Sequence, residues 1–324
     1  MFSKYKKKIL FSAVAGAVIF LAFSVYADFD KLLEAFSEFN WLFFPLILAL
    51  SFLNYIFRFL KWEYYRKLLS IELSTKRSFL IFLSAFVMSV TPGKMGEVLK
   101  SYLLKEENGT PVAKSAPIVL AERLTDFISI IILCIVGAFV FDYGRTAIII
   151  IGISFIGLTL LLSWKKACLY FISLLEKIKF LAKHAEKFHT AYESIYALVR
   201  FKPLVIATLV SVISWFFECI GFYIVLNVFS STTNIEVSLL TATFIYGFST
   251  LIGALAMLPG GLGVTEAFLT GLLQYLSIPK NISVASTIII RIATLWFAVI
   301  VGIFAVIIYQ KVSHKDLEEI QVPN

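Results

Sequence analysis

The chain is built from long apolar runs separated by short polar segments. Continuous runs lie at about 9–25, 41–60, 116–141, 146–163, 203–229 and 284–309. Each is close to the roughly 20 residues that a helix needs to cross a bilayer. The pattern therefore predicts an all-α polytopic membrane protein.

Two further apolar regions, 79–104 and 238–276, are interrupted near their middles by Pro-Gly pairs. Proline removes a backbone donor and glycine loosens the chain, so each region is expected to form two half-helices joined by an irregular turn. The predicted turn residues are Pro92, Gly93, Gly96, Pro259, Gly260, Gly261 and Gly263. Such turns occur at membrane depth where protein or a water-filled cavity satisfies the backbone.

Composition agrees with this class of protein. Apolar residues make up 60% of the chain and charged residues only 15%, whereas soluble domains carry about 25% charged residues. The net charge of +8 comes with no nucleic-acid-binding motif, so no nucleic acid partner is expected and the excess is assigned to cytoplasmic loops. Cysteine and histidine spacings indicate no disulfide framework, metal or cofactor.

The distribution of positive charge predicts the topology. If both interrupted regions span the membrane, the segment 164–202, with its eight Lys and Arg residues, falls outside the cell. If both re-enter, that segment is cytoplasmic, as the positive-inside rule requires. We therefore expect six transmembrane helices and two re-entrant hairpins in the cell membrane, with both termini cytoplasmic; eight spans is the alternative. The segment 164–202 is expected to be an amphipathic linker, either lying on lipid or solvated.

The two Pro-Gly motifs and the arginines that follow them indicate an internal repeat. The motifs Pro92-Gly93-x-x-Gly96 and Pro259-Gly260-x-x-Gly263 correspond. Arg123 lies 31 residues after the first motif's proline and Arg291 lies 32 after the second's, each inside the following apolar helix.

The repeat units cover about 9–141 and 146–309 of one membrane domain, 1–324. In the re-entrant topology, the first hairpin enters from the cytoplasm and the second from outside, so the halves are inverted. Inverted repeats with broken helices are the architecture of many transporters, whose sites lie where the breaks meet.

Ionisable residues inside the apolar runs are candidates for that site. Each costs roughly 2.5–3.5 kcal/mol at the bilayer centre, so they must face one another, water or a polar substrate. The expected substrate-binding residues are Arg58, Lys94, Glu97, Glu122, Arg123, Asp126, Glu218, Glu266 and Arg291. No catalytic residue is predicted.

Helical spacing relates several of these side chains. Asn54, Arg58 and Lys61 share one face, with snorkelling to the cytoplasmic surface as the alternative for the two cations. Arg123 and Asp126 are spaced to pair, which a purely structural network would also explain. Arg291 has no local partner and needs a carboxylate from another helix, such as Glu266 or Glu218, or a ligand phosphate.

The two turns and the acids that follow them suggest ligand chemistry. Free backbone amides and half-helix N-termini attract anions, although close packing of glycines between helices would also explain the motifs. Glu97 and Glu266 follow the two prolines by five and seven residues. Either could hold an arginine when the site is empty, or recognise a cationic headgroup.

Enzyme motifs are absent from the sequence, which has no serine-centred elbow, Cys/His pair, HExxH or P-loop. An intramembrane transferase using Glu122 or Asp126 stays open as an alternative.

Three motifs together resemble the lysylphosphatidylglycerol synthase transmembrane, or flippase-like, family. They are Thr91-Pro92-Gly93-Lys94-x-Gly96-Glu97, Glu122-Arg123-x-x-Asp126 and Leu258-Pro259-Gly260-Gly261-x-Gly263-x-x-Glu266. Asn54, Arg58, Lys61 and Trp62 also fit the family's early Arg-x-x-Lys-Trp-type segment. The resemblance covers essentially the whole chain and implies a polytopic domain that, in multiple peptide resistance factor, moves an aminoacylated phospholipid between leaflets.

The resemblance also shapes the functional hypotheses. We expect a stand-alone member without the soluble aminoacyl-transferase domain, acting as a lipid flippase. Its partners would be membrane lipids, with headgroup phosphate held by Arg123, Arg291 and Lys94. The alternative is an accessory or scaffold subunit that binds a lipid-synthesising enzyme in lipid aminoacylation or glycosylation.

Overall fold

Helices account for nearly all of the described structure. The computed structural model describes residues 2–91, 97–138, 145–176 and 184–313. The helices of the first half are α1 (Phe2–Ala27), α2 (Phe29–Glu38), α3 (Phe44–Leu68), α4 (Thr75–Ser84), α5 (Leu99–Asn108) and α6 (Val112–Gly137). Those of the second half are α7 (Arg145–Ser163), α8 (Lys165–Glu176), α9 (Ala185–Val199), α10 (Phe201–Val228), α11 (Ser230–Thr233), α12 (Leu239–Leu255), α13 (Val264–Tyr275), α14 (Lys280–Arg291) and α15 (Phe297–Ser313). The predicted all-α fold is confirmed.

Long apolar helices identify the membrane-crossing part of the fold. Among the described residues, Trp41–Leu68, Phe201–Val228 and Lys280–Val312 are long and apolar enough to cross a bilayer. Helix α6 has 26 residues but carries charges near its middle, and α7 and α12 are shorter. The number of spans therefore stays a prediction.

The second interrupted region is two half-helices, as the Pro-Gly pattern predicts. Helix α12 ends at Leu255 and α13 begins at Val264. Between them, Gly260, Gly261 and Gly263 have φ values of 61°, 67° and 84°. These left-handed values suit glycine, which has no β-carbon to clash with the backbone.

The first interrupted region is described on both sides of its Pro-Gly pair. Helix α4 continues through a 3₁₀ turn, Ala85–Met88, and α5 begins at Leu99. The predicted turn residues Pro92, Gly93 and Gly96, and the candidate Lys94 beside them, lie outside the described residues.

The last apolar run is one helix with a local irregularity. A π-helical turn, Ile292–Trp296, joins α14 to α15 directly after Arg291. Such turns insert an extra residue into the helix and occur frequently at functional sites.

Segment 164–202 forms α8 and α9, with residues 177–183 outside the described part. Helix α9 is amphipathic, but its apolar face packs on α6, where Leu198 and Val199 are buried. Neither expectation for this segment, a helix lying on lipid or a solvated connector, includes this contact. The apolar face of a helix can pack on lipid or on another apolar helix of the same chain.

The described core residues form two large apolar clusters and a third, small one. One large cluster joins α10, α12, α13 and α14, and the other joins α3, α4, α5, α9 and α15. Helix α6 contributes to both. The small cluster contains Val90, Leu262, Leu295 and Val299, so it lies where the two broken regions approach each other.

Candidate functional site

A cavity of about 630 Å³ lies between the broken second region and helices α3, α6, α9 and α10. Most of its lining residues are apolar or aromatic, and leucine is the most frequent of them. Charged side chains also reach it, and these are Arg58, Arg123, Asp126, Glu218 and Arg291. Of the eight predicted site residues that the structure describes, five therefore line one cavity.

The two broken regions meet at this cavity. A β-carbon placed on Gly260 would lie 3.6 Å from Val90 Cγ1, just before the first break. Ser89 lines the same cavity as Gly260 and Gly261. The described residues thus bring the breaks together, as expected for a site between two halves.

Glu97 joins two of the arginines. Its Oε2 accepts a hydrogen bond of 2.7 Å from Arg123 Nη2, and its Oε1 lies 3.5 Å from Arg58 Nη2. The Glu97 side chain is only 2% exposed, whereas that of Arg123 is 18% exposed. Glu97 therefore lies behind the cavity wall and holds two cavity-lining arginines that come from α3 and α6.

Lys61 is buried in the protein, so the snorkelling alternative is wrong for it. Its ammonium lies 2.7 Å from Asp126 Oδ1 and 2.6 Å from Ser211 Oγ, and the side chain is 1% exposed. Arg123 Nη2 lies 3.5 Å from Asp126 Oδ2, which confirms the pairing within α6 that the spacing predicts. Snorkelling was an alternative because Lys61 precedes a basic segment, but Asp126 and Ser211 from other helices bind its ammonium inside the protein.

Arg291 has the carboxylate partner that its isolation in sequence requires. Its Nε donates to Glu266 Oε1 at 2.6 Å and its Nη2 donates to the Gly260 carbonyl at 2.7 Å. The arginine thereby satisfies a backbone acceptor that the broken helix leaves inside the membrane.

The N-terminus of α13 already has an anionic partner. Glu266 Oε2 accepts a hydrogen bond of 2.6 Å from the Gly263 amide. A carboxylate at a helix N-terminus is favourable because it interacts with orphan amides and the helix dipole. The Gly263 amide is therefore bound to Glu266, and binding of a ligand anion by the other amides of the turns stays a prediction.

Glu218 and Tyr246 form a separate polar pair on the cavity wall. Tyr246 donates to Glu218 Oε2 at 2.6 Å, and both side chains are buried. Tyr55 also lines the cavity and donates to the Thr294 carbonyl, at 3.0 Å, within the π-helical turn. Sequence reasoning missed both tyrosines because nothing in an apolar run distinguishes a tyrosine that lines a cavity from one in the core.

Glu122 lies away from the cavity lining. It pairs with Lys100, whose ammonium also lies 4.7 Å from the Trp62 ring centroid. Both side chains are nearly inaccessible. The structure therefore places Glu122 in a buried ion pair with Lys100, between α5 and α6.

The mouth of the cavity is apolar. Leu120, Leu158, Met257 and Leu258 line it and are between 43% and 67% exposed. In a membrane, side chains of this kind face acyl chains rather than water. The cavity thus combines a charged interior with an opening suited to lipid.

Comparison with known proteins places the chain among membrane proteins. Residues 9–302 match the family described as lysylphosphatidylglycerol synthase TM region. One UPF0104 membrane protein of Methanothermobacter thermautotrophicus is 24% identical over 94% of this chain and 94% of its own length. Another from Methanocaldococcus jannaschii is 25% identical over 72% of this chain and 97% of its own. The chain therefore belongs to the lysylphosphatidylglycerol synthase transmembrane-region family and is a multi-pass membrane protein.

Proposed function

We propose that this protein moves a lipid with a phosphate-bearing headgroup between the leaflets of the cell membrane. The observation that carries the proposal is the cavity itself, where Arg58, Arg123 and Arg291 lie inside a largely apolar wall. Guanidinium groups match phosphate oxygens in planar, two-point geometry. The exposed leucines and methionine at the mouth would contact the acyl chains.

The carboxylates behind the arginines explain how the empty site is stable. Glu97 and Glu266 hold Arg123 and Arg291 at 2.7 and 2.6 Å. An arginine without a counter-charge would be costly at this depth. A headgroup phosphate takes over one arginine contact as the carboxylate releases it, so the guanidinium keeps an anionic partner throughout.

Movement between leaflets follows from the proposed inverted repeat. Glu97 precedes α5 by two residues and Glu266 lies in the first turn of α13, so each acid lies at the start of the half-helix after a break. When the acid gives up its contact with the arginine, the half-helix is held less tightly against the helix that carries the arginine. Alternation between two such states, one per half, would expose the cavity to each leaflet in turn. Both termini are proposed to be cytoplasmic.

Headgroup translocation in proteoliposomes tests the proposal. Purified full-length protein is reconstituted with a panel of labelled phospholipids, and headgroup accessibility is followed with a membrane-impermeant reductant. Arg123→Ala and Arg291→Ala are expected to lower the rate at least about tenfold, since each removes a charge-assisted contact. Arg200→Ala, at an exposed arginine between α9 and α10, is the matched control.

Either of two transport results would contradict the proposal. It fails if wild-type protein moves no phospholipid of the panel above the rate of empty liposomes, or if both cavity variants transport as fast as the control variant. A scaffold role would instead show as stable co-purification with a lipid-synthesising enzyme that survives both substitutions.

A further inference from the structure

The first helix of each proposed half packs on the last helix of the other half. Helix α7 lies against α6, and α1 lies against α14. At the first contact the ring centroids of Phe127 and Phe155 lie 4.7 Å apart. At the second, those of Phe20 and Trp296 lie 6.4 Å apart. Each contact therefore pairs an aromatic ring of a first helix with a ring of the last apolar run in the other half.

Phe127 and Trp296 occupy corresponding positions in the two halves. Phe127 follows Arg123 by four residues, and Trp296 follows Arg291 by five. The π-helical turn that begins after Arg291 accounts for the difference, because such a turn inserts one extra residue into a helix. The two contacts can therefore be compared as counterparts.

The counterparts differ in their relation to the cavity. Phe127 and Phe155 both line it. In the other half, Leu295 lines the cavity, while Ile19 and Trp296 pack against the small cluster to which Leu295 belongs. Among the lining residues that the structure describes, α1 contributes none. The cavity therefore reaches α7, whereas apolar side chains separate it from α1.

The barrier toward α1 is apolar and is covered by a single helix. Trp296 lies directly on Gly16, since a β-carbon there would overlap the indole ring. On the other side of α1, Val18 and Leu21 are 59% and 61% exposed, so in a membrane they face lipid. Within the described part of the chain, the indole N–H of Trp296 has no hydrogen-bond partner. Separating α1 from Trp296 thus breaks apolar contacts and no hydrogen bond of the indole.

We infer that Trp296 on Gly16, together with the small cluster behind it, is a closed gate through which the lipid passes between the cavity and the second leaflet. The inference rests on the proposed function and names the barrier that alternation between two states must open. A barrier of this composition suits a lipid substrate. Lipid tails are as apolar as leucine, so acyl chains can replace the contacts that α1 gives up.

Cysteine accessibility in the full-length protein tests the gate. Val90→Cys and Val299→Cys each place a thiol in the small cluster, where the two valines are 1% and 5% exposed. The three native cysteines are replaced by alanine, and labelling by N-ethylmaleimide is followed in detergent. An equimolar mixture of phosphatidylcholine, phosphatidylethanolamine, phosphatidylglycerol and phosphatidic acid should raise both labelling rates roughly tenfold, because lipid shifts the population toward the open gate. Val225→Cys, at a buried valine of the α10 core, is the matched control and should stay unlabelled.

Trp296→Ala should open the gate without lipid. Removing a packed tryptophan favours the open state, so labelling of Val299→Cys should rise at least roughly tenfold before any lipid is added. Trp164→Ala, at a tryptophan that is 64% exposed, is the control and should leave this rate unchanged. Because Trp296→Ala could unfold the protein, Val225→Cys in the same background reports unfolding. The lipid effect on Val90→Cys tests the gate with Trp296 in place.

Either of two results overturns the inference. One is that lipid changes the labelling rate of neither Val90→Cys nor Val299→Cys. The other is a folded Trp296→Ala protein in which Val299→Cys reacts no faster than in Trp164→Ala. In both cases the proposed function stands if proteoliposomes translocate phospholipid in an Arg123-dependent manner. Absence of translocation by the wild-type protein overturns both.

Discussion

Arg291 donates from Nε to Glu266 Oε1 at 2.6 Å, joining α14 to the first turn of the half-helix α13. The first half contains the equivalent contact, in which Arg123 of α6 donates to Glu97 at 2.7 Å. In each case the acid follows a Pro-Gly break and the arginine lies in the following long helix. This shared relationship supports the inverted repeat more directly than the spacing of the motifs does.

Removing Arg291 should destabilise the protein strongly. Arg291→Ala leaves Glu266 buried with its counter-charge removed and takes the donor from the Gly260 carbonyl. Breaking a buried pair on one side costs about 3–5 kcal/mol. Thermal unfolding in detergent should show this loss, and the double variant Arg291→Ala/Glu266→Ala should recover much of it. Equal melting of the single variant and wild type would contradict the role of the pair.

Neutralising Glu122 should affect stability but not transport. Glu122→Gln leaves the buried ammonium of Lys100 without its counter-charge, so a loss of about 3–5 kcal/mol is expected. Because Glu122 is outside the cavity lining, translocation per folded molecule should equal that of wild type. Glu97→Gln, which releases both Arg58 and Arg123, is the comparison and should reduce translocation. A transport defect in folded Glu122→Gln would restore this residue to the substrate-binding set.

Gly302 allows the last helix to pack directly on the first broken region. A β-carbon there would lie 2.7 Å from the Phe86 carbonyl carbon and 3.0 Å from Val87 Cα, and backbone atoms cannot move aside as a flexible side chain can. Gly302→Ala should therefore cost about 1–3 kcal/mol. At Gly157 in α7 a β-carbon would meet no atom within 4 Å. Gly157→Ala should be neutral or slightly stabilising in the same thermal-unfolding assay, because alanine favours helix.

Single-cysteine labelling should test the topology. Asn108 and Lys280 are both exposed, at the end of α5 and the start of α14. In a background where Cys168, the native cysteine that is not buried, is replaced by serine, Asn108→Cys should react from the cytoplasmic side and Lys280→Cys from the opposite side. Reaction of both from outside would remove the re-entrant topology and with it the inverted arrangement of the halves.

The sequence by itself determined the all-α membrane class, the break at Pro259–Gly260 and most of the charged residues at the cavity. These follow from local chemistry: apolar run length, the missing donor of proline, and the cost of a charge in lipid. The cost of a charge in lipid also indicates that Arg291 needs a partner, because its neighbours along the sequence are isoleucines and an alanine.

Only the tertiary structure decided which charges meet. Lys61 pairs with Asp126 rather than reaching the surface, Glu122 pairs with Lys100 away from the cavity, and Glu218 meets Tyr246 on its wall. These contacts join residues on different helices, and their partners depend on how the helices rotate and pack around one another. Spacing along one helix specifies a face, but the neighbour that the face meets is set by packing over the whole chain.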